Sequence, residues 1–78
     1  MALKFVVCVQ KEGLGDFDGD DLTIGRLYEI MEEDAGHGMA RVIDDSGEDF
    51  LYPTACFEAV SVSEPTAHRL HEMLALAA

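Results

Sequence analysis

Apolar and polar residues alternate along the first two thirds of the chain with the period of β-strands, and the period changes near the end. Leu3-Lys4-Phe5-Val6-Val7-Cys8-Val9-Gln10 is rich in β-branched and aromatic residues and predicts a strand. Leu3, Phe5, Val7 and Val9 share one face, while Val6 and Cys8 keep the other apolar. This strand is therefore expected to be covered on both sides for part of its length. Residues 11–21, KEGLGDFDGDD, hold three glycines and four aspartates and predict a loop. It is long for a small domain, and long loops without regular structure tend to be functional or mobile.

Leu22-Thr23-Ile24-Gly25 leads into a strand over Arg26 to Glu32. Tyr28 and Ile30 are expected to point inward, and Leu27, Glu29 and Met31 outward. Glu33-Asp34-Ala35-Gly36-His37-Gly38 predicts a turn whose two glycines supply the positive-φ positions. Met39 to Ile43 returns as a strand. Asp45-Ser46-Gly47-Glu48 then predicts a tight hairpin with Gly47 in the left-handed position. Phe50-Leu51-Tyr52 is the fourth strand, ended by Pro53, which has no amide for a ladder. Glu58 to Val62 is the fifth. Five short strands in under 65 residues predict a small all-β barrel over residues 1–62.

Residues 63–78 predict a helix. Ser63 suits the N-cap, Glu64 the positive end and Pro65 the first turn. Ala67, Leu70, Met73, Leu74 and Ala77 then recur at helical spacing. A helix of about three turns is marginal alone in water, so it is expected to pack on the barrel or on a second copy, which leaves monomer and homodimer both open.

Composition narrows the class. With 78 residues the chain has room for one core, and stability is expected to be modest. Two cysteines, Cys8 and Cys56, are too few for a secreted disulfide scaffold. They read as reduced thiols in the cytoplasm, with one bridge between neighbouring strands left open. Met1 to Gln10 lacks the apolar core of a signal peptide, and no apolar run approaches the roughly 20 residues that span a bilayer. The net charge is −11, from 16 acidic and 5 basic residues. That sign argues against nucleic acid and against an anionic membrane, both of which recruit Lys and Arg. It allows a basic protein partner, or a surface kept soluble by charge.

Two stretches resemble the Src homology 3 (SH3-like) barrel. Asp21-Leu22-Thr23-Ile24-Gly25 is similar to the acidic-Leu-Ser-Phe-x-x-Gly run that opens that family's second strand. Tyr52-Pro53-Thr54-Ala55-Cys56-Phe57 is similar to the aliphatic-Pro-Ser-Asn-Tyr-Val segment that closes its barrel. IDDSGEDFLYP also resembles a run in small bacterial proteins of unassigned activity. The resemblance covers about residues 3–62 and implies a five-stranded SH3-like barrel with an added C-terminal helix. It does not carry the polyproline site. Gly38 falls where the family's groove tryptophan is expected and Cys56 where its tyrosine is, so Pro53 alone of that surface is kept.

Candidate chemistry is sparse. Asp16-Phe17-Asp18-Gly19-Asp20-Asp21 offers hard oxygen ligands, but an EF-hand loop from Asp16 would need Gly and Glu where Asp21 and Leu27 stand. A weak calcium-dependent module is the outlying alternative. His68 and His71 share a helical face and would need a third metal ligand. Cys56 reads as a small buried thiol, since nothing in the sequence brings a base to it. No phosphate loop, zinc motif or hydrolase elbow is present, so no cofactor and no enzyme activity are expected. Leu74-Ala75-Leu76-Ala77-Ala78 resembles the end of a bacterial degradation tag, though alanine-rich helix ends are common.

Three acidic clusters remain, at 16–21, 29–34 and 44–49. The resemblance puts the first two beside the usual ligand groove and the third at the opposite end. The expected partner-binding residues are Asp18, Asp20, Asp21, Glu32, Glu33 and Asp34, with Tyr52 and Pro53. The expectation is a non-enzymatic protein-interaction module for a basic segment. The alternative is an acidic mimic that occupies a nucleic-acid-binding surface.

Overall fold

The computed structural model describes residues 3–11 and 21–77. Five strands, β1 (Lys4–Cys8), β2 (Leu27–Glu32), β3 (Met39–Ile43), β4 (Asp49–Pro53) and β5 (Phe57–Val60), are followed by one helix, α1 (Glu64–Ala77). The strands form one antiparallel sheet in the order β4-β3-β2-β1-β5. The fold is thus a small all-β sheet domain with a C-terminal helix. β2, β3 and β4 are a meander, and β5 returns to pair with β1, setting Val6 opposite Ala59 and Cys8 opposite Phe57. The fifth strand ends at Val60 instead of Val62, and it begins one residue earlier than the sequence predicts. Between β4 and β5, Thr54–Cys56 make a single 3-10 turn, anchored by the Thr54 amide donating to the Gly38 carbonyl at 2.9 Å.

One face of the sheet holds the main core: Val6, Cys8, Leu22, Tyr28, Ala40, Val42, Tyr52 and Cys56, with Ile30 and Phe57 packed against it. The Tyr28 and Tyr52 rings each meet Phe57 edge-on, at 6.4 and 6.3 Å between centroids. Edge-to-face geometry suits the ring quadrupoles and adds to the area that the rings bury. β1 is covered on both sides. Phe5 points away from that core, opposite Glu29 and Val60, yet is only 2% exposed. Burial of a side chain of this size contributes about 1.5–3 kcal/mol.

α1 packs on β2 of its own chain, over the face that carries Glu29. Ser63 takes the N-cap position: its carbonyl accepts the Ala67 amide at 2.8 Å, while its hydroxyl donates to the Thr66 hydroxyl at 3.0 Å. The helical apolar stripe splits on docking. Ala67 is buried and Leu70 and Leu74 are half-buried, but Met73 is 62% exposed. Among the described residues no helix is long and apolar enough to cross a membrane.

The turns follow the glycines, with one addition. Gly47 has φ 85° in the β3–β4 hairpin, and Gly36 and Gly38 have φ 90° and 72° in the β2–β3 turn. His37, between them, is also left-handed at φ 56°. A side chain with a Cβ resists that conformation. The turn is held around it by the Asp34 carboxylate accepting the Gly36 amide at 3.0 Å and by the Ala35 amide donating to the Met39 carbonyl at 2.8 Å.

Candidate functional site: a carboxylate-lined pocket beside the C-terminal helix

The turn after β3 is built from its own side chains. Asp44 Oδ1 accepts the Ser46 amide at 2.9 Å and also the Ser46 hydroxyl, a local motif that pins the turn. Asp44 Oδ2 accepts the Tyr52 hydroxyl at 2.7 Å. The residue is 4% exposed, so the run IDDSGED folds its first aspartate inward. Asp45 serves the other core tyrosine. Its Oδ1 accepts the Tyr28 hydroxyl at 2.8 Å and pairs with Arg26 Nη1 at 2.7 Å, and its Oδ2 accepts the Thr23 hydroxyl at 2.9 Å. The Arg26 guanidinium also lies 5.7 Å from the Tyr28 ring centroid, within cation–π range.

Two buried phenols thus end on two adjacent carboxylates, a polar end to an apolar core in which every hydroxyl proton has an acceptor. Burial, and then the hydrogen bond and charge of Asp44, push the Tyr52 phenol far above its ordinary range. Burial also pushes Tyr28 up, against the Thr23 amide, which donates to its oxygen at 2.6 Å and favours the phenolate. Both remain protonated donors at any physiological pH.

The third carboxylate comes from mid-strand. Glu29, expected to face outward into solvent, does leave the main core but is covered by α1, and its side chain is 10% exposed. Its Oε1 is hydrogen-bonded to Nδ1 of His71, which is half-exposed on the helix. That bond, and the charge of Glu29 behind it, raise the His71 pKa above its ordinary 6.5. Between the helix, β2 and the turn lies a pocket of about 170 Å³. Arg26, Glu29, Asp44 and His71 line it on the polar side, and Ile43, Leu74 and Tyr28 line the rest.

The acidic clusters are arranged differently from the expectation. Asp21 stands at the same end of the sheet as the 44–48 turn, its carbonyl accepting the Asp45 amide at 2.8 Å. The first and third clusters therefore meet at Asp21, and the second is divided: Glu29 lies under α1 and Glu32–Asp34 at the far end of β2. There Glu32 pairs with Arg41 at 3.7 Å and Glu33 with Lys4 at 3.1 Å, while Asp34 caps its own turn. Glu33 also borders a more open hollow of about 180 Å³ over Val6, Ile30, Ala40 and Phe57. Tyr52 is 4% exposed with its hydroxyl on Asp44, and Pro53 is half-buried at the end of β4. Asp18 and Asp20, and with them most of the suspected calcium run, lie outside the described residues.

Cys8 and Cys56 form no disulfide, are buried and belong to one core cluster. Burial raises both thiol pKa values, and the proximity of Cys8 raises Cys56 further. Such thiols are poor nucleophiles. Among the described residues no group of three His, Cys, Asp or Glu side chains is placed to hold a metal ion. His68, the suspected partner of His71, is exposed, and His71 turns to Glu29.

Sequence reasoning missed Glu29, Asp44, Asp45 and Arg26 as a constellation. Its one available signal was an Asp-Asp pair directly before Ser-Gly, in a chain whose core needs acceptors for two tyrosines. Comparison with known protein families, with curated proteins and with solved structures finds no match.

Proposed function

We propose that this chain is a non-enzymatic, cytoplasmic protein-interaction module of SH3-like barrel type that binds a basic segment of another protein. The barrel part of the reading is supported by the strand order, in which a meander of β2 to β4 is joined by β5 returning to β1, and by a 3-10 turn directly after Pro53. Two buried thiols outside any disulfide fit a reducing compartment.

The observation that carries the functional part is the fate of the cations. Lys4, Arg26 and Arg41 are each paired with carboxylates of the same chain, at 3.1, 2.7 and 3.2 Å. The chain carries an excess of eleven negative charges over its five Lys and Arg. Such a field steers and selects a partner rich in Lys or Arg. Polyproline recognition is not part of the reading, because Tyr52 is enclosed and cannot offer an aromatic face.

Affinity capture from the native host, followed by mass spectrometry, tests this. Partners are expected to carry basic segments and to be released at about 0.5 M salt, where the screening length falls to a few ångströms. Partners that stay bound at that salt would contradict the electrostatic reading. Displacement of the partner by DNA would favour the acidic-mimic alternative.

A further inference from the structure

We propose that the pocket between α1, β2 and the 44–48 turn receives a primary ammonium side chain, a lysine of the basic segment. This inference rests on the reading above for its source of ligand, and on the pocket alone for its chemistry.

The charges around the pocket do not cancel. Arg26 is neutralised by Asp45 at 2.7 Å. Asp44 accepts hydrogen bonds only from uncharged donors, the Ser46 amide and hydroxyl and the Tyr52 hydroxyl, and has no ion pair among the described residues. Glu29 is opposed by His71 alone, which carries a charge only when protonated. One or two carboxylates are thus left without a countercharge, in a site bordered by a 14-residue helix and a sheet. Desolvated carboxylates in such a site attract a cation more strongly than exposed ones do.

Glu29 supplies the second observation. Its side chain is nine-tenths buried, and only Oε1 is bonded, to His71. Oε2 has no hydrogen-bond partner among the described residues and is not sealed from solvent, and Glu29 lines the pocket. The walls complete the match. Ile43, Leu74 and Tyr28 line the rest of the pocket and would flank a chain of methylenes, and a volume of about 170 Å³ admits a butyl stem with its ammonium group. An anion would meet Asp44 and Glu29, and a bulky apolar ligand would desolvate both carboxylates without bringing a countercharge.

The test is an amide NMR titration of the full chain with n-butylammonium, with butyrate and sodium chloride at equal ionic strength as controls. Butylammonium is expected to move the signals of Glu29, Ile43, Gly47 and Leu74 saturably, and the controls are not. Glu29→Gln should weaken binding by about tenfold or more, the loss of a charge-assisted hydrogen bond. Leu74→Trp, which fills the pocket from the helix side, should abolish it and provides a second readout if Glu29→Gln fails to fold. Equal shifts with butyrate, or unchanged affinity in both variants, would overturn the proposal. A lysine-containing peptide from a captured partner, compared with its norleucine version, separates the two readings. Binding that leaves the pocket signals unmoved removes the pocket assignment and keeps the module. Butylammonium binding in a protein whose partners lack basic segments supports the pocket and removes the module.

Discussion

The Nδ1 of His71 bonds to the carboxylate of Glu29 across 42 positions of sequence, and this contact ties the C-terminal helix to the middle of the sheet. Glu29 is the buried partner and His71 the exposed one. The pair therefore joins a charge that needs compensation to a base that supplies it only when protonated.

A pH dependence follows from that pair. The folded His71 pKa is raised above its ordinary 6.5, so its contribution to stability is complete below that value and is lost as pH rises through the folded value. Unfolding by urea is expected to need less denaturant at pH about 8 than at about 6, by a small margin because the imidazole is half-exposed. His71→Gln should flatten this part of the pH profile. A profile identical to the unaltered chain would show that the pair does not couple helix docking to pH. Glu64, His68, Arg69 and Glu72 on α1, and Glu29, Arg26 and Asp44 opposite, are the other charged groups to hold in view.

The two tyrosines should differ in their tolerance of hydroxyl loss. Tyr52→Phe removes one of three donors to a carboxylate that is 4% exposed and makes no ion pair among the described residues, and should cost about 1.5–3 kcal/mol. Tyr28→Phe leaves Asp45 with Arg26 and the Thr23 hydroxyl, and should cost less, about 1 kcal/mol. Chemical denaturation of both variants checks the order, and a reversed order would place the greater demand on Asp45.

Backbone strain gives a pair of opposite signs. Gly47→Ala puts a Cβ at φ 85° and should destabilise by about 1–2 kcal/mol. His37→Gly relieves a left-handed side chain at φ 56° and should stabilise by up to about 1 kcal/mol. Thermal melts of the two variants, moving in opposite directions, are the expected result.

Both thiols should resist modification in the folded chain. Burial and raised pKa values keep Cys8 and Cys56 protonated and out of reach at pH about 8, so alkylation should proceed only as fast as the core opens. Rapid labelling of either cysteine without denaturant would contradict this. Cys56→Ser should be destabilising, since its hydroxyl would enter a site with 0% exposure.

The sequence by itself determined the elements. Alternation fixed β2 and β3 within a residue and β1 within two, because a period of two leaves no other way to bury Val6, Tyr28, Ala40 and Val42 together. Glycines at 36, 38 and 47 fixed the turns, because positive φ is a local steric matter that needs no tertiary contact. Ser63-Glu64-Pro65 marked the helix start for the same kind of reason. What only the tertiary structure decided was the company of the polar residues. Asp44 and Asp45 read as a solvated hairpin until the hydroxyls of Tyr52 and Tyr28, at the ends of long rings, arrive needing acceptors. Glu29 occupies a polar position of its strand and reads as exposed until a helix encoded 35 residues later lies across it. Burial of a charge depends on what covers it, and in this chain the cover comes from residues distant in sequence.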